Sequence, residues 1–211
     1  MATYLFDFDG TLVDSMPTFV AAFFRLMEKH GIPHDGNTVK TITPLGYRGT
    51  AKYLISLGMP LSEEEILYEV NAFATDAYHN KIVCKANVKA TLEALHARGD
   101  DLHVLTASPH LVLDACLMRN GIYDLFENVW SCEDFATTKA DPAIYHMAAE
   151  RIGKPVADVI FLDDNYDADK TAKSAGMTVY GVFDETSRDY ADDIRAITDR
   201  YITDFSELLE V

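Results

Sequence analysis

The spacing of apolar residues predicts an α/β fold, a parallel sheet with helices on both faces, carrying a small all-α unit inserted after the first strand. Three observations lead there. One strand followed by a helix opens the chain, helical spacing alone fills the next stretch, and helical and extended segments alternate from about residue 83 onward. The core is therefore assigned to residues 1–14 and 83–211, and the inserted helical lid to residues 15–82.

Leu5, Phe6 and Phe8 form a short apolar run that stops at Gly10, as a buried strand does. Phe19, Ala22, Phe23, Leu26 and Met27 then repeat at helical spacing, with Pro17 at the start and Gly31 at the stop. A second lid helix is expected from Gly49 to Leu57. A third runs from Ser62 to about His79, where Ser62 and Glu65 make a capping box. In the core, residues 88–98 read as a helix, 102–106 as a strand, and 109–120 as a helix ending at Gly121. Residues 129–132 read as a strand, and Asp141-Pro142 caps a helix that ends at Gly153. A buried strand at 159–162, a helix ending at Gly176 and a strand at 178–182 complete the pattern. Strand–helix–strand repeats of this kind build parallel sheets.

The chain has 211 residues, with 18 Lys and Arg against 34 Asp and Glu, a formal charge of −16. That balance leaves no basic stripe for a nucleic-acid backbone, so no nucleic acid is expected as partner. No apolar window is long enough for a membrane span, so no membrane partner is expected either. The N-terminus lacks the basic and apolar regions of a leader, which points to the cytoplasm. Cys84, Cys116 and Cys132 lack zinc-ligand spacing and read as reduced thiols, and the seven histidines read as surface or packing residues.

In open parallel sheets, ligands bind outside the carboxyl ends of the strands. Here those ends are polar. The first strand delivers Asp7-Phe8-Asp9-Gly10-Thr11, the second Thr106-Ala107-Ser108, and the strand at 159–162 delivers Asp163-Asp164, with Lys139 ahead of a capped helix. Two carboxylates about 4 Å apart repel by roughly 4 kcal/mol at an effective dielectric of 20, so a convergence of four implies a hard divalent cation. Oxygen ligands without His or Cys suit Mg2+. A calcium loop fails in either register: counting from Asp7 puts Leu12 and Thr18 where Gly and Glu belong, and counting from Asp163 puts Ala168 and Ser174 there.

Asp7-Phe8-Asp9-Gly10-Thr11 with Val13-Asp14-Ser15, then Thr106, Lys139 and Asp163-Asp164, in that order, resemble the four signature motifs of the haloacid dehalogenase superfamily over essentially the whole chain. The resemblance implies a Rossmann-like core and an Mg2+-dependent phosphomonoesterase. Asp7 would be the nucleophile forming an aspartyl-phosphate, and Asp9 the acid and base; dehalogenating members lack a carboxylate at the latter position. Thr106 and Lys139 would hold the transferring phosphoryl group, with Gly10 and Ser108 beside it. Asp7, the Asp9 carbonyl and Asp164 would bind Mg2+, while Asp163 would reach the metal through water or orient Lys139. Where the family often has Pro after the lysine, this chain has Ala140 before Asp141-Pro142.

Other readings stand beside these. Ser108-Pro109 can be a simple helix cap, and Asp167 and Asp169 can be favourable first-turn charges or partners of the acidic motif. The lid resembles the helical cap of phosphoglycolate phosphatase-like and β-phosphoglucomutase-like members, which implies a small phosphorylated metabolite as partner. In the lid segment 43–49, Tyr47 and Arg48 are the candidate substrate-reading residues, with packing and a solvated charge as their alternatives. A phosphomutase sharing the same motifs, or a non-catalytic regulatory module, is the competing function. A monomer or weak homo-oligomer is expected.

Overall fold

A computed structural model describes residues 1–210, the side chain of Pro44 excepted. The chain divides into two compact units, residues 1–14 with 83–211, and residues 15–82.

The larger unit is a six-stranded parallel sheet in the order β3-β2-β1-β4-β5-β6. Its strands are β1 (Thr3–Phe6), β2 (Asp101–Thr106), β3 (Asn128–Ser131), β4 (Val159–Asp163), β5 (Thr178–Val182) and β6 (Arg200–Ile202). Strand β1 is central, with Phe6 opposite Val104 of β2 on one side and Leu162 of β4 on the other. Strand order reverses at β1, which makes the carboxyl ends of β1 and β4 the place where a ligand crevice opens. All four β1 residues are buried because both faces are covered. On one face Leu5 joins Leu105, Phe161 and Val179 against helices α7 (Ala143–Ile152) and α8 (Tyr166–Ser174). On the other, Tyr4 and Phe6 stack, and Phe6 meets Phe126 and Phe205.

The smaller unit is entirely helical among the described residues: α1 (Met16–Lys29), α2 (Gly36–Ile42), a 3-10 turn at Thr43–Leu45, α3 (Gly46–Ser56) and α4 (Glu63–Asn80). The apolar positions read from the sequence in α1 are all buried, and they meet Ile42, Leu54 and Ile66 in a core of their own. The capping box at Ser62 forms, with the Ser62 N–H donating to Glu65 at 2.8 Å.

Several boundaries differ from the sequence reading. Helix α3 begins at Gly46 rather than Gly49, so segment 43–49 is a 3-10 turn and a first helical turn, not an open loop. Helix α2 was not anticipated; its Asp35 cap holds the Asn37 and Thr38 N–H groups at 2.9 and 3.1 Å and offsets a Gly-Asn-Thr start of low propensity. Beyond Val182, α9 (Ala191–Ile197) and β6 extend the sheet by one edge strand. The remaining core helices are α5 (Val88–Ala97) and α6 (His110–Asn120). No helix among the described residues is long and apolar enough to cross a membrane.

Candidate active site

The sheet passes directly into the site. Asp7 donates its N–H to the Leu162 carbonyl at 2.8 Å, prolonging the β1–β4 ladder by one residue. The chain then folds back: the Leu12 and Val13 N–H groups both donate to the Phe8 carbonyl, and the Gly10 N–H to the Val13 carbonyl. This turn needs φ +77° at Gly10, where a Cβ would lie 2.7–2.8 Å from the Asp164 carboxylate. Only glycine lets the backbone lie so close to that carboxylate. Thr11 donates its hydroxyl to Asp164 at 3.1 Å.

Asp7, Asp163 and Asp164 are buried, and each places a carboxylate oxygen within 4.8 Å of the others. Lys139, from the segment before α7, donates to Asp7 and, at 2.8 Å, to Asp163. Burial works against the Lys139 charge, but Asp163 and Asp7 outweigh it and hold the ammonium well above the usual lysine range. Burial pushes the Asp7 carboxyl up to about 8; Lys139 opposes this, and Asp163 and Asp9 add to it. Burial, then Asp163 and Asp7, push Asp164 up as well. Asp163 commits one oxygen to Lys139 and the other to the Asn165 N–H at 2.9 Å, an arrangement that orients the lysine. The backbone around Lys139 is held by Tyr145, whose hydroxyl lies 3.1 Å from both the Lys139 and Ala168 carbonyls.

Asp9 lies two residues beyond Asp7 and accepts the Ser108 hydroxyl at 2.5 Å. The helix-cap reading of Ser108 is corrected: Pro109 holds the cap position of α6 without a side-chain cap, and the buried Ser108 faces Asp9. The Ser108 N–H donates to the buried Thr106 hydroxyl at 3.1 Å, which brings the β2 terminus to the same place.

Helix α8 starts on an Asn165 cap that accepts from the Asp167 and Ala168 N–H groups. Asp167 is exposed, as a first-turn charge is. Asp169 is not: it is fully buried, neither carboxylate oxygen has a hydrogen-bond partner, and burial with Asp163 and Asp164 nearby pushes its carboxyl well up. In the smaller unit, the Tyr47 ring packs edge-on to Phe19 at 5.0 Å and lies 5.9 Å from Phe23, while Arg48 pairs with Glu63 at 2.8 Å.

One polar group escaped the sequence reading. Lys85 donates to the carbonyls of Gly10 and Phe183, both at 2.6 Å, and to Asp184 at 3.1 Å. Two of its partners are backbone atoms far away in sequence, so no spacing announces it. Of the histidines, His103 is buried against Trp130, which drives its pKa down to about 4, and His110 lies between Asp114 and Asp134. Burial raises all three free thiols, Cys116 to about 11.

The donor set suits a hard cation. Three buried carboxylates converge with one ammonium among them, no His or Cys joins the cluster among the described residues, and burial, with the neighbouring carboxylates, pushes two of the carboxyls up.

Comparison with known proteins identifies the family. The family model described as "Haloacid dehalogenase-like hydrolase" matches residues 4–182. A phosphoglycolate phosphatase of Psychrobacter arcticus is 27% identical over 216 residues, covering 98% of this chain and 93% of that protein. A phosphorylated carbohydrates phosphatase of Thermotoga maritima is 25% identical over 184 residues, covering 86% and 85%. The crystal structure of a predicted phosphoglycolate phosphatase from Haemophilus somnus superposes with a TM-score of 0.82 at 24% identity, covering 100% of this chain and 97% of that one. Because that family model spans residues 4–182 and relatives match over nearly the whole length, this chain belongs to the haloacid dehalogenase-like hydrolase family.

Proposed function

We propose that the protein is a divalent-cation-dependent phosphomonoesterase that hydrolyses a small phosphorylated metabolite through an aspartyl-phosphate. The observation that carries this reading is the placement of Asp7 against Lys139, Asp163 and Asp164, with Asp9 two residues away on the same turn. In the first half-reaction an Asp7 oxygen bonds to phosphorus as the ester P–O bond breaks, and Asp9 gives its proton to the leaving oxygen. In the second, Asp9 takes a proton from water as the water oxygen bonds to phosphorus. The bond to Asp7 then breaks, and inorganic phosphate leaves. Lys139, steadied by Asp163, and the Thr106 hydroxyl donate to the phosphoryl oxygens as charge spreads over them. Ser108 holds Asp9 in place between the two proton transfers. Asp7, Asp164 and the Asp9 carbonyl would hold Mg2+, which when bound neutralises the carboxylates and polarises the phosphoryl group.

The names of the relatives, one for phosphoglycolate and one for phosphorylated carbohydrates, support small phosphorylated acids and sugars as the substrate class. A cytoplasmic enzyme fits such a substrate. Phosphate release from a panel of these compounds, with Mg2+ and with EDTA, is the test. The wild-type protein should release phosphate only with metal, and Asp7→Asn should lower kcat at least about 10³-fold. A hexose 1-phosphate isomerised without phosphate release would identify a mutase instead, and inactivity across the panel would sink the hydrolase reading.

A further inference from the structure

We propose that Lys85 is a positioning residue that fixes the nucleophile turn by holding the Gly10 carbonyl, a role that rests on the phosphomonoesterase reading above. The chain leaves the larger unit after Asp14 and returns at Val83. At that crossing the two strands pair: the Asp14 N–H donates to the Val83 carbonyl, the Lys85 N–H to the Leu12 carbonyl, both at 3.0 Å, and Val13 faces Cys84 in an antiparallel bridge. This short ribbon continues directly from the turn that carries Asp7 and Asp9. From it, the Lys85 side chain reaches inward, four-fifths buried, to three acceptors on two other segments.

Burying an ammonium is costly unless its donors are used, and here the three partners match the three N–H groups. Asp184 is 5% exposed at its side chain and is itself satisfied, accepting also from the Thr186 N–H at 2.9 Å and hydroxyl at 2.6 Å. It is thus a fixed post on the loop after β5, and the Phe183 carbonyl beside it is another. Lys85 ties the Gly10 carbonyl to both, so that with Asp184 altered the Phe183 carbonyl still holds it. Gly10 is also the residue whose backbone lies against the Asp164 carboxylate. A residue whose carbonyl is pinned by Lys85 and whose Cα faces Asp164 leaves the turn little freedom, and so sets where Asp9 stands relative to Asp7. Misplacing a reacting group by about 1 Å costs on the order of 10²-fold in rate.

The test compares Lys85→Met, Lys85→Arg and Asp184→Asn with wild type. Lys85→Met keeps the buried stem and removes every donor; kcat should fall about 10- to 100-fold while KM for a fixed substrate stays within about 3-fold. Lys85→Arg, which can still donate to the Gly10 carbonyl and Asp184, should recover most of kcat. Asp184→Asn leaves Lys85 on the Gly10 carbonyl and should cost no more than about 3-fold. Thermal melts, with assays run well below each midpoint, separate these effects from loss of folded protein. Independently of turnover, native-state hydrogen exchange at the Gly10, Leu12 and Val13 amides should quicken at least about 10-fold in Lys85→Met, with Leu105 and Phe161 unchanged.

Unaltered kcat and unaltered exchange in a folded Lys85→Met protein would overturn the proposal. An Asp184→Asn effect as large as that of Lys85→Met would also overturn it, by shifting the role from Gly10 to the ion pair. If wild type releases no phosphate from any substrate, the phosphomonoesterase reading fails, and exchange alone then decides whether Lys85 holds the turn.

Discussion

At Gly10, conformation and close packing impose the same demand. The turn needs a left-handed φ, and any side chain would point into the Asp164 carboxylate. Gly10→Ala should therefore destabilise the protein by about 1–3 kcal/mol, read by urea denaturation, and should raise the Mg2+ concentration that gives half-maximal activity. A variant with unchanged stability would mean that the turn adapts. The aspartates at the strand ends were legible in the sequence because a strand that ends in Asp-x-Asp-Gly places its charges in one crevice. The structure brings Asp7, Asp163, Asp164 and Lys139 together, and Asp9 with Ser108 and Thr106. It does not give Asp169 a solvated face, and it gives Arg48 a carboxylate partner in Glu63. Burial and long-range pairing decided those cases, and neither leaves a local signature.

At the scale of elements, regular apolar spacing made helices α1 and α4 and the strands up to β5 readable. What escaped was short or locally contradictory. Strand β6 has three residues, Arg200, Tyr201 and Ile202, too few for a period to register. It exists because β5 leaves room for it: Gly181 packs so tightly that a Cβ would lie 2.4 Å from Ile194 of α9 and 2.9 Å from the Tyr201 ring. Gly181→Val should cost about 1–3 kcal/mol through forced separation of α9 and β6 from β5, measurable as a lowered denaturation midpoint. A neutral result would mean that this edge of the sheet shifts freely. Helix α2 went unread because Gly36 and Asn37 speak against a helix while the Asp35 cap speaks for one.

For the molecule as a whole, the acidic site links stability to pH with an unusual sign. Asp7 is pushed up from an ordinary 3.8 to about 8, so between those values the folded state holds a proton that the unfolded state releases. Stability from this group is present at low pH and is lost as pH rises through about 8. Asp164 and Asp169, also raised, act in the same direction. His103, lowered from 6.5 to about 4, acts oppositely, adding stability as pH rises through that range. The clean window is therefore pH 6.5–8, where metal-free Tm should fall with rising pH while the gain from added Mg2+ grows, because bound cation displaces the proton. Thermal melts in EDTA and in Mg2+ across this window check it; a metal-free Tm that climbs towards pH 8 would contradict the linkage.

The central place of β1 also orders events on the ribosome. Its neighbours are contributed by residues 101–106 and 159–163, so the first strand emerges from the exit tunnel long before either flank exists. The helical segment at 15–82 depends on nearer contacts and can mature first. During translation, then, the nascent chain carries Asp7 apart from Asp163 and Asp164 until the fourth strand is out.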